Sequence, residues 1–113
     1  MPDLLTPAWR LLGLTGSESG VLTLDEGRLS FRTDDGVTFD VPLADVADVT
    51  VPWFYFGGGL KLTAGGEPYR FSFVRPNAAP PVSDHLLPEG TSGWAWIVAG
   101  RKAGAAWKEA LGG

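Results

Sequence analysis

The alternation of apolar and polar residues between Gly20 and Val41 constrains the fold of this chain more than any other feature. In the stretch RLSFRT, Leu29 and Phe31 are separated by polar residues. This period of two is typical of a β-strand that buries one face. The same period occurs in GVLTL before it and in VTFDV after it, so we expect the apolar residues of VTFDV, Val37 among them, to point inward.

Two short acidic turns divide this region into strands, Asp25-Glu26-Gly27 and Asp34-Asp35-Gly36. Gly36 supplies the positive φ that a short hairpin needs, because glycine has no side chain to clash in that conformation. Such turns join antiparallel neighbours directly. We therefore predict two consecutive hairpins and interpret the acidic residues as turn formers rather than as metal ligands.

The rest of the sequence predicts four more strands and a long loop. A weaker first strand lies at residues 9–14, after a loose lead-in at residues 1–7. Proline donates no ladder hydrogen bond, so Pro42 should end the strand before it. The three later strands are predicted at residues 47–51, 60–63 and 69–74, and the proline-rich loop at residues 75–93.

From residue 93 to residue 111 the apolar period changes from two to 3.6. One helical face then carries Trp96, Gly100, Ala103, Trp107 and Leu111. This pattern predicts one amphipathic C-terminal helix. Together the elements predict one mainly β domain over residues 1–113, a small barrel or sandwich of about seven antiparallel strands closed by that helix.

Composition narrows the classes of partner and chemistry. The chain of 113 residues has 13 Asp and Glu against 9 Lys and Arg, a net charge of −4 that disfavours nucleic acid. It has no cysteine, which excludes disulfides and thiolate catalysis. The N-terminus lacks the basic region of a signal peptide, and no apolar run approaches the length of a membrane span. We therefore expect a cytoplasmic protein.

Three stretches, GVLTLDEGRLSFRT, VTFDVPLADVADVTV and YRFSF, resemble the pleckstrin-homology (PH) superfold, especially its GRAM and bacterial PH-like members. Those families often carry a G-x-L-x-L strand, an R-L-x-F strand and an [IV]-P-L-x-[DE]-[IV] step. The chain matches these motifs at residues 20–24, 28–31 and 41–46. The resemblance covers residues 9 to 111 and implies a PH-like fold, with the helix of Trp96 and Trp107 in the C-terminal position.

One departure from the family bears on ligand binding. Phosphoinositide-binding PH domains have a basic first hairpin loop, whereas the corresponding segment here, residues 16–20, is GSESG. This acidic loop disfavours phosphoinositide binding. Arg10, Arg28 and Arg32 could form a patch elsewhere, but arginines that alternate on a strand are usually a solvated face.

The run Trp53, Phe54, Tyr55, Phe56 lies between Pro52 and three glycines and is the strongest candidate for an interaction site. A regular strand would bury only two of the four rings and leave the others for solvent or a partner. Aromatic residues of this kind are enriched in interface hot spots. Alternatively, the chain bends at the proline and the glycines, and most of the rings enter the core. Both interpretations stay open.

The search for catalytic and metal motifs gives little. His85 is the sole histidine, and adjacent side chains of Ser83-Asp84-His85 cannot meet in triad geometry, so a polar turn between prolines is the favoured interpretation. The glycines at residues 57–59 precede a strand rather than the helix that a phosphate loop requires. We expect no metal, no cofactor and no enzymatic activity.

These observations lead to three hypotheses of function. The first is a non-catalytic PH-like module that associates with itself or with another protein through the aromatic run 53–56. The second is peripheral membrane or lipid binding, based on the family resemblance and the same aromatics. The third is a small-ligand pocket or enzyme under the loop 76–93, with His85 as the candidate residue.

Overall fold

Seven antiparallel strands form one sheet in the computed structural model, which describes residues 4–12, 16–51, 58–74, 79 and 103–111. In chain order the strands are β1 (Leu4–Leu11), β2 (Ser17–Asp25), β3 (Arg28–Thr33), β4 (Gly36–Pro42), β5 (Val46–Thr50), β6 (Gly59–Ala64) and β7 (Glu67–Ser72). A short 3₁₀ helix, Leu43–Asp45, separates β4 from β5, and the helix α1 spans Ala103–Ala110. The predicted mainly β class is thus confirmed.

The strand order is β4-β3-β2-β1-β7-β6-β5, so β4 and β5 lie at the two ends of the sheet. Among the described residues no ladder joins these end strands, so of the two predicted architectures, barrel or sandwich, the closed barrel is wrong. The predicted lead-in at residues 1–7 is also wrong from Leu4 onward. β1 begins there because residues 4–11 pair along their whole length with β2.

Both acidic turns are tight hairpins, as predicted. Glu26 and Gly27 have φ of 51° and 76°, which matches the twist of the strands on either side. Gly36, with φ of 125°, occupies the conformation that favours glycine. The turn between β6 and β7 uses Gly65 and Gly66 at φ of 57° and 86°.

An irregularity in β4 overturns the inward orientation predicted for Val37. Phe39 pairs with Phe31, but the next paired residue on β4 is Val37, opposite Arg32. One extra residue, Thr38, is therefore inserted as a β-bulge, which reverses the alternation. Val37 is 60% exposed as a result.

The sheet bends so that its β3–β4 side faces its β6–β7 side, and the core lies between these two halves. Phe31 of β3 contacts Phe71 of β7 with ring centroids 4.9 Å apart, and Phe39 of β4 contacts Tyr69 at 4.7 Å. Phe31 and Phe71 are completely buried. Burial of each such ring contributes roughly 1.5–3 kcal/mol, so these contacts hold the halves together without a ladder between the end strands. Val49 and Val51 are partly buried and also pack against this core.

Helix α1 packs on the same core through Trp107. The indole is fully buried, and its Nε1 donates a hydrogen bond of 2.9 Å to Oγ1 of Thr6 on β1. Leu111 also packs against the core, so the predicted apolar face is confirmed at these positions. Residues 93–102 of the predicted helix lie outside the described residues, as does the predicted loop 75–93 apart from Ala79.

Candidate functional site

The residues that the sequence singled out lie outside the part of the chain that the structure describes. These are Trp53, Phe54, Tyr55, Phe56 and His85. The described chain stops at Val51, directly after β5, and resumes at Gly58, directly before β6. The carbonyl oxygen of Gly58 accepts a hydrogen bond of 2.7 Å from the Phe73 amide. The aromatic run therefore connects an end strand of the open sheet with its neighbour.

The structure separates the three arginines considered as a patch. Arg28 and Arg32 lie on the outer face of β3, where Arg28 Nε donates to Asp40 Oδ1 at 2.9 Å. Arg28 Nη2 also donates to the Asp40 carbonyl oxygen at 3.1 Å. Both side chains of this pair are about half exposed, so its contribution to stability is small. Arg28 and Arg32 line one cavity, and Arg10 lines a different one.

The cavity lined by Arg10 is about 590 Å³ in volume. It lies where β1 leaves β7, since these strands pair only at Trp9–Ser72 and Arg10–Phe71. We call it the basic cleft. Its polar lining residues are Arg10, Lys61, Arg70, Asp48, Thr50, Thr63 and Tyr69.

Lys61 and Arg70 stand directly opposite each other in the β6–β7 ladder. Thr50 of β5 pairs with Lys61 on the other side, which extends the same row to the end strand. Like charges at directly opposed positions destabilise a strand pair. Lys61 and Arg70 lie on the same, outer face of the β6–β7 hairpin.

Arg10 is held at the side of the cleft by an aromatic ring. Its guanidinium carbon lies 4.7 Å from the ring centroid of Tyr69, a cation–π contact. Its Nη1 is 3.9 Å from Glu18 Oε1, which is longer than a hydrogen bond. Glu18 Oε1 is buried and has no hydrogen-bond partner within the described part of the chain. The Arg10 side chain is thus positioned by packing more than by its carboxylate neighbour.

Asp48 is the one carboxylate that lines the cleft in the described structure. It occupies the bulge of β5, where the register shifts between Ala47 and Thr50, and its φ is 55°. Thr63 Oγ1 donates to Asp48 Oδ2 at 3.4 Å. A non-glycine residue in this conformation costs about 1 kcal/mol or more. The bulge therefore places an acidic side chain in the lining of the cleft at some cost in stability.

The basic cleft was not predicted from the sequence, although the register of its Lys61–Arg70 pair could have been. A two-residue turn at Gly65-Gly66 fixes Lys61 opposite Arg70, so the like-charged pair follows from the hairpin register. The pairing of β1 with β7, which places Arg10 in the lining of the cleft, has no local signal in the sequence. The same holds for the position of Asp48, because the sequence pattern gives no sign of the bulge.

No group of three or more His, Cys, Asp and Glu side chains is arranged to hold a metal ion within residues 4–12, 16–51, 58–74, 79 and 103–111. In those ranges no helix has the length and apolar character needed to cross a bilayer.

Comparisons of the chain with protein-family models, with curated proteins and with solved structures each gave no match. The resemblance to PH-like and GRAM-like domains therefore stays a prediction from the motifs.

Proposed function

We propose that this chain is a non-catalytic PH-like interaction module that associates with a protein partner, or with a second copy of itself, through the aromatic run Trp53–Phe56. The observation that carries the proposal is the position of β5, the strand that precedes the run in the chain, at the end of the open sheet. β5 is an end strand, and the chain reaches residue 53 three residues after β5 ends at Thr50. Among the described strands, β5 has no pairing partner on its outer side, and an edge of this kind is a common place for another chain to associate.

The packing of the residues just before the run supports this proposal. Val49 and Val51 already occupy the inward positions at the end of β5 and pack against the core. Four aromatic residues then follow within six positions, before β6 resumes the inward pattern with Leu60. An aromatic run of this size is typical of interface anchors, which are enriched in Trp and Tyr.

Sedimentation equilibrium or light scattering after size exclusion tests self-association. The wild type is compared with the double variant Trp53→Ala/Phe56→Ala over a wide range of concentration. Val37→Ala is the matched control, since Val37 is an exposed apolar residue on the opposite end strand, β4. We expect the aromatic variant to lose association and the control to keep it.

For a heterologous partner the same three proteins are compared in titrations with that partner. Each aromatic truncation should weaken binding by about tenfold or more, as for hot-spot residues. Equal affinity of the wild type and the double variant would refute the role of the run. A wild type that stays monomeric at every concentration would refute self-association.

A further inference from the structure

A polar trough of about 370 Å³ lies on the outer face of β2, β3 and β4, where Arg28 and Arg32 line it. Its other polar lining residues are Thr23, Asp25, Glu26, Ser30 and Asp40. We propose that this trough binds a short zwitterionic peptide, with the carboxylate toward Arg32 and the ammonium group toward Asp25 and Glu26. The trough lies at the other end of the sheet from β5, so the proposal is independent of the aromatic run.

The register of the strands arranges the lining residues in rows across the trough. Asp25 pairs with Arg28 at one end. Thr23 pairs with Ser30 in the middle. Arg32 lies four residues beyond Arg28 on β3, about 13 Å along the strand at roughly 3.2–3.4 Å per residue. The trough therefore has an acidic end, a middle row of hydroxyl groups and a basic end.

The charges at the two ends are unpaired. Arg28 is already bound by Asp40 through two hydrogen bonds. In the part of the chain that the structure describes, no ion pair or side-chain hydrogen bond joins Arg32, Asp25 or Glu26 to another residue. A simple anion would meet the two carboxylates, and a simple cation would meet the guanidinium of Arg32. A ligand that carries both charges complements both ends.

Thr23 supplies the observation that points to a ligand rather than to a solvated face. The residue is only 8% exposed, and its Oγ1 is buried without a hydrogen-bond partner among the described residues. Such a group is unfavourable in the free protein. A change of its χ1 rotamer turns the hydroxyl toward the trough, where the peptide group of a ligand offers both a donor and an acceptor.

The spacing of the charges favours a peptide over a single amino acid. In an α-amino acid the two charged groups are attached to one carbon atom and cannot reach both ends of the trough. An extended tripeptide spans about 10 Å at roughly 3.3–3.6 Å per residue, and the long side chain of Arg32 can cover the remaining distance. The volume of about 370 Å³ lies within the range of ligand sites.

The test uses triglycine and two analogues that each lack one charge. N-acetyltriglycine has no ammonium group, and triglycinamide has no carboxylate. Binding to the isotopically labelled full chain is followed by the shifts of backbone amide resonances. The variants Arg32→Gln and Asp25→Asn/Glu26→Gln remove the two ends of the site. Lys61→Gln and Glu67→Gln are the charge-matched controls, because both residues are exposed on β6 and β7.

We expect triglycine to bind the wild type and to shift amide resonances of β2, β3 and β4. Each analogue should bind roughly twofold to fivefold more weakly, the effect of one exposed charge pair. Arg32→Gln should remove the preference for triglycine over triglycinamide. Asp25→Asn/Glu26→Gln should remove the preference over N-acetyltriglycine. Both control variants should keep both preferences.

The variant Thr23→Val separates a role in binding from a role in the fold. It should weaken the binding of triglycine, while the melting temperature stays the same or rises because an unsatisfied hydroxyl is removed. A lower melting temperature with unchanged binding would assign this hydroxyl to the fold and would overturn its role in the site.

Three further results would overturn the proposal. The first is the absence of shifts in β2, β3 and β4 up to the solubility limit of triglycine. The second is equal affinity of the wild type for triglycine and both analogues. The third is a loss of preference in Lys61→Gln or Glu67→Gln as large as in the trough variants. The association assay with Trp53→Ala/Phe56→Ala has a separate readout, so the failure of either proposal is recognised independently.

Discussion

The hydrogen bond between Trp107 and Thr6 is buried, and it joins the last helix to the first strand across 101 positions of sequence. Trp107→Phe removes the donor, keeps an aromatic ring in the site and leaves Oγ1 of Thr6 without its partner. Thr6→Val removes the acceptor with little change of shape and leaves the indole N–H unpaired. Both residues are fully buried, so water cannot replace the lost partner without entering the core.

The expected costs follow from this geometry. A buried polar group that loses its partner costs about 1–3 kcal/mol, so Thr6→Val should lower the free energy of unfolding by about that amount. Trp107→Phe should cost about 1–2 kcal/mol more, because the smaller ring leaves a cavity beside β1 and β6. The double variant Thr6→Val/Trp107→Phe should be more stable than the sum of the single effects indicates, because neither polar group then remains unpaired.

Urea denaturation followed by far-ultraviolet circular dichroism measures these free energies. Backbone ellipticity is preferable to tryptophan fluorescence, since one of five tryptophans is replaced. Thr33→Val is the matched control. This threonine is also buried, but its hydroxyl serves a local turn, where it accepts a hydrogen bond from the Asp35 amide at 3.1 Å.

A coupling energy near zero in the double-mutant cycle would refute the reasoning. The two side chains would then not depend on each other, and the helix would be held by apolar burial alone. A cost of Thr6→Val below about 0.3 kcal/mol would lead to the same conclusion, since it is well under the cost of an unsatisfied buried group.

Three further outcomes are expected from single replacements. Gly20→Ala should destabilise by roughly 1–3 kcal/mol, measured by the same urea titration, because an added Cβ would lie 2.3 Å from a carbonyl oxygen of β3 and 2.8 Å from the Phe31 ring. Val37→Thr should change the free energy of unfolding by less than about 0.5 kcal/mol, because its side chain is largely exposed. A larger loss of stability would mean that this residue is buried in the core. Asp40→Asn should lower the free energy of unfolding by less than about 1 kcal/mol, and this difference should disappear at high salt, because the ion pair of Asp40 with Arg28 is half exposed. A difference that does not depend on salt would contradict a screened surface ion pair.

The sequence predicted the local elements well because their causes are local. Alternation placed Leu29 and Phe31 in the core, and the glycine of each acidic turn fixed a hairpin. Trp107 was placed on the apolar face of the helix for the same reason, because the period of 3.6 depends only on residues that are close in the sequence. Each of these predictions needed no knowledge of distant contacts.

The features that were missed depend on contacts that are distant in sequence or on bulges. Residues 4–7 contain a proline and show no clean alternation, yet they form part of β1 because pairing with β2 completes the sheet. The exposure of Val37 follows from one inserted residue in β4, which no composition rule indicates. Arg10 joins the basic cleft only through the pairing of β1 with β7.

The candidate site was predicted less well than the fold. The aromatic run and His85 were chosen for their chemistry, and both lie outside the described residues. The cleft was overlooked because Lys61 and Arg70 look like solvated outward positions on two ordinary strands. Only the register of the two strands shows that these charged side chains lie directly opposite each other.

The bulges in β4 and β5 also affect how copies of this protein behave when crowded. Within the described residues the sheet has two strand edges without a pairing partner. Contact of β4 in one molecule with β5 in the next would repeat without closing, which is the geometry of a fibre. Each end strand carries one extra residue that bends it and interrupts the row of regularly spaced N–H and C=O groups. Deletion of Thr38, which would straighten β4, should therefore increase fibrillar aggregation in concentrated solution.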